Sequence, residues 1–219
     1  MGKSAGNFAH SEAVVEHRLG GAQIQSWRDR GFTLVHDLLP DALLRTLQGD
    51  ALDFYPAPGT AAATHFNNFG SGQKFVFPAE SSACNAVTLH PHLLQAVADL
   101  LGVGPCDLRL TQSDLWPKYG NGDSDDALDN TDQRIHCDYP NHSLVHPPEW
   151  DNPEAVEIII YLNDYDECEG ATAVVPRDGQ SDPAYPWPIV QTPGVAGLDY
   201  VNDRDKAEAY MAEHNPEAA

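Results

Sequence analysis

This 219-residue sequence has little positive charge: 12 Lys and Arg stand against 33 Asp and Glu, a formal net charge of −21. So few cations cannot displace the counterions of a phosphate backbone, and an anionic bilayer is repelled, which argues against nucleic acid and membranes as partners. A small anionic ligand is not excluded, because one or two local cations suffice for it, and Lys118 and Arg134 are candidates. Cysteine is also sparse. Cys84, Cys106, Cys137 and Cys168 are far apart and show no C-x-x-C spacing. The first twenty residues carry Lys3, Glu12, Glu16 and Arg18 with no apolar core segment. A disulfide framework and export are therefore not expected, and a reducing, cytoplasmic setting is. Long apolar runs are missing as well. The strongest stretch, 156–162, is broken by Glu157 and falls far short of the roughly 20 residues a membrane helix needs.

What is present fits one domain over 1–219, with 42% hydrophobic residues and 17 Gly and 17 Pro scattered without a period, as expected of many turns between short elements. In 22–30, Ile24 and Trp27 lie three apart, as on an amphipathic helix, and Gly31 can end it before an extended stretch at 32–35. A second helix is expected over 41–54, with Leu43, Leu44, Leu47 and Leu52 facing inward and Pro40 in the position where a missing amide donor costs nothing. A third covers 91–101, with Gly102 beyond its end. After Gly104 the period changes: Leu108 and Leu110, then 133–139, 157–163 and 172–175 read as strands. Helices first and strands afterwards point to a mainly β fold with an N-terminal helical layer, a mixed sheet or small jelly-roll barrel. The expected layout is a helical layer at 22–104, the first part of a β-core at 105–180, and a crossover and terminal segment at 181–219. A doubly wound sheet is disfavoured, since 141–154 and 164–171 have no helical pattern. The stretch 121–132, with five Asp, reads as a solvated loop because EF-hand spacing is absent. Pro183, Pro186, Pro188 and Pro193 keep 181–197 from being an internal strand.

The chemistry concentrates in QRIHCDY, residues 133–139. In an extended chain His136 and Asp138 share one face and Ile135, Cys137 and Tyr139 the other, so an imidazole and a carboxylate can converge on one ion. A second imidazole from a distant strand would complete a 2-His-1-carboxylate site with three open positions, the arrangement of non-haem Fe(II) oxygenases. Taken alone, His-x-Asp is a short pattern that chance supplies in a chain with ten His, and the pair reads equally as a hydrogen-bonded couple on a sheet. A second alternative adds His142 and His146 to His136 and Asp138 as a metal-dependent hydrolase, zinc accepting these donors and activating water. Trp116 and Trp150 read as packing anchors, with pocket lining as the other role open to an indole.

Four blocks in order carry a resemblance to a known family: WRDRGFTLVHDLLPDALL (27–44), LTQSDLWPK (110–118), IHCDYPNHSL (135–144) and EIIIYLNDYDECEGATAVVP (157–176). The chain resembles the phytanoyl-CoA dioxygenase family of Fe(II)- and 2-oxoglutarate-dependent oxygenases across most of 22–180. The resemblance implies a double-stranded β-helix, the cupin-like jelly roll, behind a helical layer. It implies His136 and Asp138 as iron ligands, with 2-oxoglutarate as cosubstrate and O₂ and a small or medium organic molecule as substrates. Gln112 and Lys118 match the strand that helps to shape the cosubstrate pocket, and Tyr161 matches a position where relatives place an aromatic against the cosubstrate.

The sequence also departs from that pattern. Relatives follow the valine-rich strand with Pro-Gly-Ser-His, whereas this chain has Pro176, Arg177, Asp178 and Gly179. The resemblance further implies a second His ligand and an Arg for the cosubstrate carboxylate beyond the Pro-rich crossover. There the chain offers His214, in a stretch that reads as a surface helix, and no Arg after Arg204. The expectation is therefore a barrel incomplete at its C-terminal end: an enzyme in the whole parent protein, with little turnover from these 219 residues alone. A non-catalytic cupin-like binding or structural domain is the remaining alternative.

Overall fold

The computed structural model of the chain describes residues 19–63, 72–119 and 150–164, with single positions 174, 176, 179, 209, 212, 213 and 216. The expected strand at 133–139 and the acidic and proline-rich stretches at 121–132 and 181–197 lie outside the described residues. Four α-helices order the rest: α1 Gly21–Arg30, α2 Asp41–Phe54, α3 Ser82–Thr88 and α4 Pro91–Leu101. None of the four is long and apolar enough to cross a membrane.

Helix α1 begins one residue before the expected position, because the Gln23 side chain reaches back to the Gly20 amide at 2.9 Å and satisfies a donor the helix leaves orphaned. It stops at Gly31, whose φ of 79° is open to glycine at little cost and whose amide closes on the Trp27 carbonyl at 2.8 Å. Ile24 and Trp27 pack against the buried Leu19, Ala96 and Leu100, so the three-residue spacing does mark the inner face.

Helix α2 has the expected bounds and corrects one expectation. Pro40 precedes it as the N-cap, and its carbonyl accepts the Leu43 and Leu44 amides at 2.9 and 3.1 Å. Leu52 is 69% exposed instead of facing inward. At about 100° per residue, Leu43, Leu44 and Ala51 lie within one turn of the buried Leu47, whereas Leu52 is rotated about 140° from it. Leu43, Leu44 and Ala51 pack against the main core accordingly.

Helix α3 was not anticipated. Two turns are too short to display a period, and its start depends on side chains: the Ser81 hydroxyl accepts the Cys84 amide at 3.1 Å and donates to Asp50 of α2 at 2.6 Å. The Asn85 amide group then holds Ala79 from both sides, donating to its carbonyl and accepting its amide, each at 2.7 Å. In α4, Pro91 does take the first position and Gly102, at φ 70°, ends the helix.

The main core gathers Leu39, Leu47, Tyr55, Phe75, Ala79, Ala83, Cys84, Val87 and Leu93. At its centre Phe75 is fully buried, stacked on Tyr55 at 5.5 Å and met edge-on by Phe54 at 5.6 Å. Leu38 packs against both this core and the smaller α1·α4 cluster, joining the two. Outside the helices, 108–119 and 153–162 form no strand among the described residues. Leu115, Ile160 and Leu162 pack on the core while Leu110, Ile158, Ile159 and Tyr161 are exposed. The backbone between 75–77 and 113–115 is bonded reciprocally: Phe77 donates to Ser113 at 2.8 Å and Leu115 to Phe75 at 3.2 Å, as in an antiparallel pair.

Two predictions follow from this packing. Phe75→Ala removes the central ring of the core and is expected to lower unfolding stability by about 3–5 kcal/mol, read as a lower urea midpoint. The second concerns pH. The Nδ1 of His90 caps α4 by accepting the His92 amide at 3.2 Å, and His92 meets the Leu38 carbonyl through its own Nδ1, also at 3.2 Å. Burial, and then the charge of His92, lower the pKa of His90 from its ordinary 6.5. The unfolded chain therefore binds protons more readily at this site, and the contribution is complete above pH 6.5 and lost as pH falls through and below that value. The urea midpoint should drop between pH 7.5 and 5.5, and less in His90→Asn, which keeps a capping acceptor that does not titrate. An equal drop in both proteins would assign the pH dependence elsewhere.

Candidate functional site

Of the residues singled out from sequence, Gln112, Lys118 and Tyr161 are described, while His136, Asp138, His142, His146 and His214 lie outside the described residues. Ala209, Ala212 and Glu213, beside His214, are helical, as that segment's pattern suggested. Among the described residues no three His, Cys, Asp or Glu side chains are grouped closely enough to hold a metal.

The segment bearing Gln112 and Lys118 is held on its odd-numbered side. Ser113 shares a 2.7 Å hydroxyl bond with Thr88 of α3, and Leu115 packs into the core. The Tyr119 hydroxyl donates to the Pro56 carbonyl at 2.7 Å, with burial pushing this phenol's pKa up. Gln112 is exposed and donates to the Asp114 carboxylate at 2.9 Å, a contact that needs both on one side of the chain. Lys118 is exposed, and in the second segment Tyr161 is 53% exposed while its neighbours Ile160 and Leu162 face the core. The three candidate cosubstrate residues thus all point away from the helical layer.

Helix α2 fixes both segments through their carbonyls. The Tyr55 hydroxyl donates to Leu115 at 2.8 Å and the Gln48 amide donates to Leu162 at 2.7 Å. Neither contact has a signal in the sequence, because the partners are 60 and 114 residues apart. Trp150 proves to be an anchor: its Nε1 donates to the Arg28 carbonyl at 2.7 Å, and its ring lies where a Cβ on Gly31 would come within 3.3 Å of it. Trp116 is half-buried.

Two surface clefts sit on the helical side. One, of about 570 Å³, is lined by Leu19, Ile24, Ala98, Asp99, Gly102 and Val103. The other, of about 470 Å³, lies beside Arg28 and Trp150. Neither is lined by Gln112, Lys118 or Tyr161.

The sequence profile described as phytanoyl-CoA dioxygenase (PhyH) matches residues 27–216. The chain belongs to the phytanoyl-CoA dioxygenase family. The family match opens in α1 at Trp27 and spans Gln112, Lys118, His136, Asp138 and Tyr161 together. Members of the phytanoyl-CoA dioxygenase family are typically dependent on Fe(II) and 2-oxoglutarate, acting on small molecules with O₂. No curated protein and no solved structure matches the chain.

Thiol chemistry has no support among the described cysteines. Burial pushes the Cys84 thiol up, against the opposing hydrogen bond from Thr88, and Asp114 and Asp50 add to the rise. Cys106 is exposed. Brief treatment of the folded protein with iodoacetamide at pH 8 should therefore label Cys106 and spare Cys84 until urea unfolds the chain, as read by peptide mass mapping. Labelling of Cys84 in the folded state would show that the core around Phe75 opens readily.

Proposed function

We propose that the protein is an Fe(II)- and 2-oxoglutarate-dependent dioxygenase that hydroxylates a small or medium organic molecule, on a double-stranded β-helix backed by the helical layer. The observation that carries this reading is the family match over 27–216, which takes in the His136 and Asp138 segment and all three candidate cosubstrate residues. The donor set suits the metal: a neutral imidazole and a carboxylate are two of the three ligands of a facial Fe(II) site, and neither is soft enough to favour copper(I) or an iron–sulfur cluster. Bound iron and 2-oxoglutarate would together supply the activation of O₂ for oxidising a substrate C–H bond.

In that site His136 and Asp138 act as ligands, and neither has to move a proton during turnover. Both must be deprotonated to bind, so affinity for the metal falls as pH drops through the histidine range. Lys118 gives a dianionic cosubstrate a cation in a chain that has few, and it is exposed. Gln112, bonded through its amide nitrogen to Asp114, still has a carbonyl oxygen to orient a bound molecule. Tyr161 supplies an aromatic wall. The acidic surface supports a small-molecule substrate over nucleic acid.

Anaerobic titration with Fe(II) and 2-oxoglutarate tests the reading through the visible metal-to-cosubstrate band. A wild-type band that vanishes in His136→Ala and Asp138→Ala supports both as ligands, while His142→Ala, His146→Ala and His214→Ala locate the remaining imidazole. A band that survives both of the first two substitutions would remove them as ligands. Zinc-dependent hydrolysis without a band would favour the hydrolase built on His136, Asp138, His142 and His146.

A further inference from the structure

We infer that Gln48 and Tyr55 of the α2 unit are positioning residues for the cosubstrate: by clamping one carbonyl in each of two segments, they set the register that turns Gln112, Lys118 and Tyr161 away from the helical layer. This rests on the oxygenase reading above and names residues in the chain that make its binding face.

The two donors are seven residues apart, two helical turns, so they project from nearly the same side of the helix line although Tyr55 itself is the C-cap. The Tyr55 hydroxyl takes the Leu115 carbonyl at 2.8 Å and the Gln48 amide takes the Leu162 carbonyl at 2.7 Å. Leu115 is held from both of its backbone groups, because its amide also donates to Phe75, the residue on whose ring Tyr55 stacks.

In an extended segment a slip of one residue exchanges the two faces. It would carry Gln112 and Lys118 toward the helices and Leu115 outward, and the same slip near Leu162 would bury Tyr161. Tyr55 is buried, so a slip that left its hydroxyl without an acceptor would incur a desolvation penalty in addition to the lost contact. The clamp therefore favours one register in each segment. Burial of Leu115 and Leu162 opposes the same slip, and the two carbonyl bonds add direction to that apolar preference.

Tyr55→Phe deletes the hydroxyl and keeps the ring that stacks on Phe75, and Gln48→Met deletes the donor at nearly constant length. Fe(II) binding measured without 2-oxoglutarate should be unchanged in both variants, because His136 and Asp138 are on neither clamped segment. The 2-oxoglutarate concentration giving half the visible band should rise by roughly three- to ten-fold in each, the range expected for one net hydrogen bond, and further in the double variant. Amide exchange in 112–118 and 159–162 of the metal-free protein should quicken as well, which provides a readout free of iron. Unchanged 2-oxoglutarate dependence in both variants would overturn the role of α2, and so would a parallel loss of Fe(II) affinity, which would mark general loosening. A wild-type chain that forms no band would remove the oxygenase reading, and this inference with it.

Discussion

Tyr55 stacked on Phe75 is the contact on which the rest of the described structure depends. The pair lies between the end of α2 and the residues leading into α3, and each ring brings a polar backbone or hydroxyl group with it. The Phe75 carbonyl receives the Leu115 amide, and the Tyr55 hydroxyl reaches the Leu115 carbonyl. Burying the two rings is favourable in any orientation, because the hydrophobic effect has no direction. The hydrogen bonds that accompany them do have direction, and they convert a greasy contact into a defined register. Apolar burial thus supplies most of the stabilisation, and a few polar atoms decide which way the neighbouring segments face.

Charge is distributed to the same end. With 12 basic residues in 219, a cation on the face turned from the helices is a scarce feature, and Lys118 is exposed there. An acidic exterior lowers the local concentration of anions in general, so a dianion is retained only where a cation and fitted hydrogen-bond groups coincide. The buried polar groups Ser81 and Thr88 are all satisfied by short internal bonds to Asp50, Cys84 and Ser113. These bonds run between α2, α3 and the Gln112 segment, so the same network that makes the core tolerable also ties the site-bearing chain to it.

How far this could be read from the sequence depended on the range of the interaction concerned. Helices α1, α2 and α4 were legible because each runs through at least two turns with apolar spacing and a local stop or start residue, such as Gly31, Pro91 or Gly102. The inward face of α2 was misread at Leu52 because a leucine-rich stretch conceals its own phase, which only a packed neighbour fixes. Helix α3 was missed because its cap, Ser81, is made effective by Asp50, thirty-one residues earlier. Gln112, Lys118 and Tyr161 were named through the resemblance alone, and their exposure beside the core-facing Leu115 and Leu162 comes from the structure. The clamps from Gln48 and Tyr55 are contacts between distant positions and leave no local pattern. For the site itself, His136 and Asp138 could be named only through their two-residue spacing together with the surrounding blocks, and membership of the phytanoyl-CoA dioxygenase family now stands behind those blocks.

The central claim is that a helical layer holds two segments so that Gln112, Lys118 and Tyr161 face a metal carried by His136 and Asp138. Anomalous scattering at the iron edge from anaerobic crystals grown with Fe(II) and 2-oxoglutarate addresses it directly. The account predicts one iron peak within bonding distance of the His136 imidazole and the Asp138 carboxylate, on the side of the 108–119 segment opposite Phe75, with Lys118 directed at the cosubstrate. An iron peak held by other residues, or one lying on the helical side of that segment, would contradict it.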